Sequence, residues 1–230
     1  MTSHLRHRID DDLRTLSDEL LAMGAVARRM IHDALDALVR RDSDLARAVI
    51  ARDKEVDRLD TELDSKAVEM ILRHQPMGSD LRYLIGVIEM VTDLERIGDE
   101  AKNIAERVVI LNEEAPLKPY IDLPSMAATV ERMVGEALDC LVRRNAEGAL
   151  AVIREDDRVD ALQDQVQREV LTYMLDDRGA ITRGLHLTFL AAHLERIGDH
   201  ATNIAETTYF LTKGQNIRHT DGLRGTRPSP

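Results

Sequence analysis

The chain has 230 residues and 25.9 kDa, 43% apolar but only 3% aromatic, with no Trp, six Pro and twelve Gly. A core of Leu, Ile, Val, Ala and Met with few turn residues excludes a β-sandwich and points to an all-α class, while a net charge of −11 argues against general nucleic-acid binding. The single Cys140 excludes an internal disulfide, no uncharged run approaches the ~18 residues of a membrane span, and the opening MTSHLRHRIDDD lacks an apolar signal core, so a reducing, cytoplasmic location is expected.

Taken in order, residues 10 to 40 carry apolar side chains at helical spacing (Leu13, Leu16, Leu20, Met23, Ala27, Met30, Ala34, Leu38) and predict a first helix. Asp42-Ser43-Asp44 supplies capping residues, and a second helix runs from about Asp44 to Arg73. It stops at Gln75-Pro76-Met77-Gly78, and Ser79 or Asp80 opens a third helix that reaches about Leu111. Asn112 to Pro124 carries three prolines and no helical period, so it reads as a linker. The pattern then repeats at about Ser125–Arg144, Glu147–Leu175 and Ile181–Lys213, with the first helices related by an offset of 103 residues and the last by 100. The predicted organisation is two sequence-related three-helix bundles. These span 1–112 and 125–213, joined by 113–124 and followed by a polar, disordered tail over 214–230.

The closest internal match is LERIGDEAKNIAE at 94–106 against LERIGDHATNIAE at 194–206, identical at eleven of thirteen positions. On a helix, Glu95, Asp99, Asn103 and Glu106 fall within about 80° of one another. Traced backwards, the same stripe is apolar: Leu81, Ile85, Ile88. The second half repeats this with Glu195, Asp199, Asn203 and Glu206. On the second helix, Ala46 and Ile50 lead to Asp53 and Asp57; on the fifth, Ala149 and Ile153 lead to Asp156 and Asp160. Acids embedded in an apolar stripe face a neighbouring helix.

Register strengthens this reading. In an antiparallel hairpin, Asp53 with Asp99 and Asp57 with Glu95 both centre on position 76, the proline of the turn. Asp156 with Asp199 and Asp160 with Glu195 centre on 177.5, in the second turn. Each half thus places four carboxylates at one level, ~30 Å from its turn. Buried without partners they would repel, and a bound cation relieves that most fully. The all-oxygen set Asp53, Asp57, Glu95, Asp99, Asp156, Asp160, Glu195 and Asp199 suits hard cations such as iron, Mn, Mg or Ca.

A lone Asp-x-x-x-Asp on a helix is usually solvated surface; duplication, apolar flanks and matched register set these apart. Arg96, Arg196, Arg28 and Arg132 offer ion pairing as the other outlet for the acids. Asp60 and Asp64 continue the stripe but become Gln163 and Gln167, so the two sites are expected to differ. Gly98 and Gly198 suggest close backbone approach, and His193 with His200 suggests a surface or partner role rather than ligation.

The duplicated LERIGD…NIAE, with ARDKEVDRLD at 51–60, resembles the PhoU family over residues 5 to 213. The resemblance implies two three-helix bundles whose paired acidic motifs (here the eight carboxylates above) bind multinuclear clusters of iron or of another metal such as Mn, Mg, Zn or Ca. It further implies a non-enzymatic, dimeric cytoplasmic adaptor that negatively regulates phosphate uptake and phosphate-starvation signalling. Such an adaptor would contact a sensor histidine kinase and the ATPase of the phosphate ABC transporter at the inner membrane face, without inserting into the membrane. Two other classes compete. A carboxylate-bridged di-iron oxidase or metal-storage bundle would normally carry Glu-x-x-His pairs, and no His lies three residues after Glu95 or Glu195. A metal-free helical scaffold would instead pair the acids with arginines.

Overall fold

A computed structural model describes residues 2–117, 120 and 122–218, with side chains from residue 9 onward. Among the described residues every regular element is helical. The first half comprises α1 (Thr2–Arg40), α2 (Ser43–His74) and α3 (Ser79–Leu111); the second comprises α4 (Asp122–Arg143), α5 (Ala146–Asp176) and α6 (Ile181–Lys213), with a short 3-10 turn at Arg178–Ala180 before α6. All six predicted helices are present. The first starts earlier than its apolar period indicates, and Pro124 sits in the opening turn of α4, where its missing N–H costs nothing.

Local chemistry sets the hairpins. After α1, Arg41 takes a left-handed φ of 58°, the Asp42 N–H donates to the Ala37 carbonyl at 2.9 Å, and the Asp42 carboxylate caps α2 by accepting from Asp44 and Leu45 N–H. After α4 the device recurs: Arg144 has φ 50°, Asn145 N–H donates to the Cys140 carbonyl, and the Asn145 side chain accepts from Gly148 N–H. Between α2 and α3 the chain turns on Gln75 and Gly78, both at positive φ.

One apolar core runs through both bundles, from Leu16 on α1 to Ala205 on α6. The two halves meet along α3 and α6, which lie antiparallel, and along α1 and α4. The α3–α6 seam is polar in a regular way. His193 pairs with Glu100 at 2.5 Å, His200 with Asp93 at 2.9 Å, Asn203 also donates to Asp93, and Thr207 donates to Glu89. His193 is buried, which corrects the expectation of a surface or partner role: both histidines are spent on contacts between the halves. Of the predicted tail, residues 219–230 lie outside the described residues. Residues 214–218 fold back, with Ile217 against the core and Arg218 donating to Glu89 and Thr207 at 2.8 Å each. Cys140 is buried, as its apolar setting predicts.

Candidate metal centre

The α2–α3 hairpin brings the first four acids to one level as register predicts. Gly98 marks the closest approach: a Cβ placed there would stand 3.0 Å from Val56 Cγ1. Val56 and Gly98 centre on position 77, one residue from the predicted 76. In the second hairpin a Cβ on Gly198 would meet Val159 Cγ1 at 3.3 Å and Asp156 Oδ1 at 3.4 Å, which sets Asp156 beside the start of the Gly198-Asp199 step.

Asp53 and Asp156 are the buried members, 5% and 6% exposed; Glu95, Asp99, Asp160, Glu195 and Asp199 are half-buried, and Asp57 is exposed. Lys102, one turn beyond Asp99 on α3, donates to Asp53 at 2.5 Å and stands 3.9 Å from Asp99. Arg96 reaches Glu95 at 3.3 Å and Asp99 at 3.5 Å. Of the other arginines considered, Arg196 pairs with Glu100, Arg28 with Glu131, and Arg132 with Glu155 and Glu136, all outside the eight.

The electrostatics record the crowding. Burial first, then the Asp99 charge, push the Glu95 carboxyl above its ordinary range against the pull of Arg96. Burial and then Asp53 push Asp99 up, with Lys102 and Arg96 opposing. Asp60 rises through burial, then through Asp64 and Asp57, and Asp64 through burial alone; Asp64 Oδ1 is buried without a hydrogen-bond partner. So Asp60 and Asp64 belong to the same field as the four predicted acids. The hydrogen bond to Asp53 is the main reason the Lys102 ammonium holds its proton more tightly than usual.

The donor set fits a hard cation: every candidate ligand is a carboxylate, and in the first half an ammonium already sits where a cation would neutralise Asp53 and Asp99. Among the described residues, however, no three His, Cys, Asp or Glu side chains are drawn close enough to enclose an ion. Lys102 and Arg96 stand among the acids instead.

Lys102 is the participant that sequence pattern alone did not single out. The signal was available: within the thirteen-residue repeat the only differences are Glu100/His200 and Lys102/Thr202. Both fall where the halves act differently. Thr202 is buried, with its hydroxyl lacking a hydrogen-bond partner among the described residues.

The PhoU domain family model matches residues 20–108 and again 123–208. The chain is 39% identical over 220 residues to the phosphate-specific transport system accessory protein PhoU homolog of Pseudomonas aeruginosa, covering 95% of this chain and 91% of the relative. The corresponding Aquifex aeolicus protein is 39% identical over 208 residues, 90% of this chain and 94% of the relative. The crystal structure of PhoU from Pseudomonas aeruginosa superposes with a TM-score of 0.86 at 39% identity, over 90% of this chain and 99% of that one. The phosphate transport system regulatory protein PhoU from Streptococcus pneumoniae shares the fold, with a TM-score of 0.83 at 24% identity over 90% and 98% of the two chains.

Proposed function

Because the chain belongs to the PhoU domain family, we propose that it is an accessory regulator of phosphate-specific transport whose paired carboxylate stripes bind metal. The observation that carries this reading is the family match to both halves, each of which also carries four acids at corresponding positions of its second hairpin. In this reading it acts as a non-catalytic adaptor in the cytoplasm. It restrains phosphate uptake and starvation signalling through the sensor kinase and the transporter ATPase, and it works as a dimer.

Asp53, Asp57, Glu95 and Asp99 would hold a cation in the first half; Asp156, Asp160, Glu195 and Asp199 would do so in the second. When bound, the cation supplies neutralising charge between α2 and α3 and between α5 and α6. The chain's residues do the rest: the apolar flanks exclude water, Gly98 and Gly198 let the helices approach, and a cation held at Asp53 would take over the charge pairing that Lys102 now provides. The adaptor role is tested by deleting the gene and measuring phosphate uptake and a phosphate-starvation reporter in phosphate-rich medium. Both are expected to rise and to be restored by the wild-type gene; no change on deletion would reject the role. The metal reading is tested by elemental analysis of protein purified without chelator, beside an Asp57→Asn/Glu95→Gln/Asp160→Asn/Glu195→Gln variant. Two or more equivalents lost in the variant support it; equal metal in both overturns it.

A metal-free scaffold is the second reading, favoured by the Lys102–Asp53 and Arg96–Glu95 pairs. It expects no metal in either protein and full regulatory activity of the variant.

A further inference from the structure

We propose that the outer groove of the α2–α3 hairpin, and its copy on α5–α6, each dock one amphipathic helix of a partner protein, apolar at one end and rich in Lys or Arg at the other. The two hairpins turn their inner sides toward α1 and α4. On the outer side of the first, near its turn, Val68 and Ile85 are about half exposed and Leu72 is 73% exposed. The repeat offsets of 103 and 100 carry these to Leu171, Leu185 and Leu175; the first two are again about half exposed, and Leu175 is 78% exposed. Exposed apolar side chains scattered singly are ordinary. The same three positions exposed in both halves are not. Exposed neighbours have changed character between the halves: Glu69 becomes Thr172, Arg73 becomes Asp176 and Arg82 becomes Thr182. The apolar positions have changed identity and stayed apolar, as in Val68 to Leu171, Ile85 to Leu185 and Leu81 to Ile181.

Register pairs these side chains across each groove. Val68 with Ile85 and Leu72 with Leu81 both centre on 76.5, beside the 77 of the Val56–Gly98 contact. Leu171 with Leu185 and Leu175 with Ile181 centre on 178, beside the 178.5 of Val159–Gly198. Each groove therefore carries two apolar pairs one helical turn apart, ~6 Å. That spacing receives the i, i+4 ridge of a docked helix.

Farther from the turn the same groove becomes acidic. Asp57 lies eleven residues, ~16 Å, from Val68, and Asp160 stands in the same relation to Leu171. At 100° per residue Val68 lies ~20° from Asp57 around α2, and Ile85 ~40° from Asp99 around α3. Charge therefore selects the occupant. Lys102 and Arg96 already place an ammonium and a guanidinium among Asp53, Asp99 and Glu95, so basic side chains fit there. Asp60 and Asp64 continue the acidic run toward the apolar pairs; their counterparts are Gln163 and Gln167, so the first groove is the more acidic. An anionic lipid surface laid on the apolar pairs would bring phosphates against these carboxylates. A second copy of the chain would set acids against acids, or acids against apolar pairs. A helix with apolar residues near the turn and Lys or Arg about three turns on meets both halves of the groove. Metal held at the carboxylates would compete with the basic end of that helix only.

The test uses a fluorescein-labelled synthetic helix of about 20 residues. It carries Leu on one face of its first two turns, Lys on the same face of its last two, and Ala elsewhere. It is titrated against the full chain in chelator, by anisotropy for affinity and by calorimetry for stoichiometry. Two peptides per chain are expected. Val68→Gln/Leu72→Gln should leave one, and adding Leu171→Gln/Leu175→Gln should weaken the remaining binding about tenfold or more. All four side chains are exposed, so the variants keep the fold, and unchanged melting temperatures verify this. A peptide with Glu in place of Lys should bind about tenfold or more weakly. Absence of saturable binding, unaltered binding in the four-site variant, or equal binding of the Glu peptide would overturn the proposal. Self-association of the full chain, or attachment to phosphatidylglycerol vesicles, that the four-site variant abolishes would also overturn it, since a second copy or a lipid surface would then be the occupant.

Discussion

Glu95 shows how a single carboxylate reports its surroundings. Burial and neighbouring acids raise its folded pKa, so the folded protein binds this proton more tightly than the unfolded chain does. Ionised Glu95 therefore opposes folding at neutral pH, and the penalty fades as pH falls through the raised value. In chelator-treated protein, Glu95→Gln is expected to raise the urea midpoint at pH 7 and to lose that advantage in the ordinary carboxylate range. A lower midpoint at neutral pH would show that the Arg96 contact outweighs burial. Lys102 is the second residue of consequence, because its ammonium takes the place a cation would fill at Asp53. Replacing it by the residue its repeat carries, Lys102→Thr, frees that carboxylate. On the metal reading, calorimetric titration of the apo protein with ferrous or manganous ion should show tighter binding in the first half, by about tenfold for each ~1.4 kcal/mol of competition removed.

Between helices, the decisive contacts are the two glycines at the carboxylate level. A methyl on Gly98 meets both Val56 methyls, at 3.0 and 3.3 Å, and a β-branched side chain on a helix has little freedom to withdraw. Alanine's helix propensity offers ~1 kcal/mol in return, against ~1–3 kcal/mol for overpacking. Gly98→Ala should therefore destabilise by up to about 2 kcal/mol. Gly198→Ala meets Val159 and Asp156 only at 3.3 and 3.4 Å and should be near neutral. Urea unfolding of the two variants tests the order, and equal losses would show that the hairpins are not packed to different tightness. The spacing of these glycines was readable from the repeat; which of them is tighter was not, because that depends on tenths of an ångström.

At the scale of the molecule, the seam between halves is a duplicated helix packed against its own copy. Two identical helices would oppose acid to acid there. Instead α3 contributes Asp93 and Glu100 while α6 contributes His193 and His200, and the pairs Glu100–His193 and Asp93–His200 exchange acid and base across the seam. Divergence after duplication has made the contact complementary. Changing α6 toward α3 with His193→Asp and His200→Glu restores like charges and leaves them partly buried. The variant should lose several kcal/mol, and its two halves should separate into distinct thermal transitions where the wild type shows one. A single transition with unchanged midpoint would show that the apolar core alone joins the bundles.

The six helices, the hairpin turns and their register were legible in the sequence, because helical period, caps and turn residues are local properties and a duplicated pattern reads twice; the starts of α1 and α4, which carry no such local signal, were not. The level of Asp53, Asp57, Glu95 and Asp99 followed from counting back from Pro76. Three things were decided only in three dimensions. Lys102 enters the first cluster, His193 and His200 turn inward to α3, and the linker closes over Arg41 while Arg144 faces a cavity. Each depends on how one helix pair rotates against another. Period fixes the face on which a residue lies, but not which of two oppositely charged partners stands across from it.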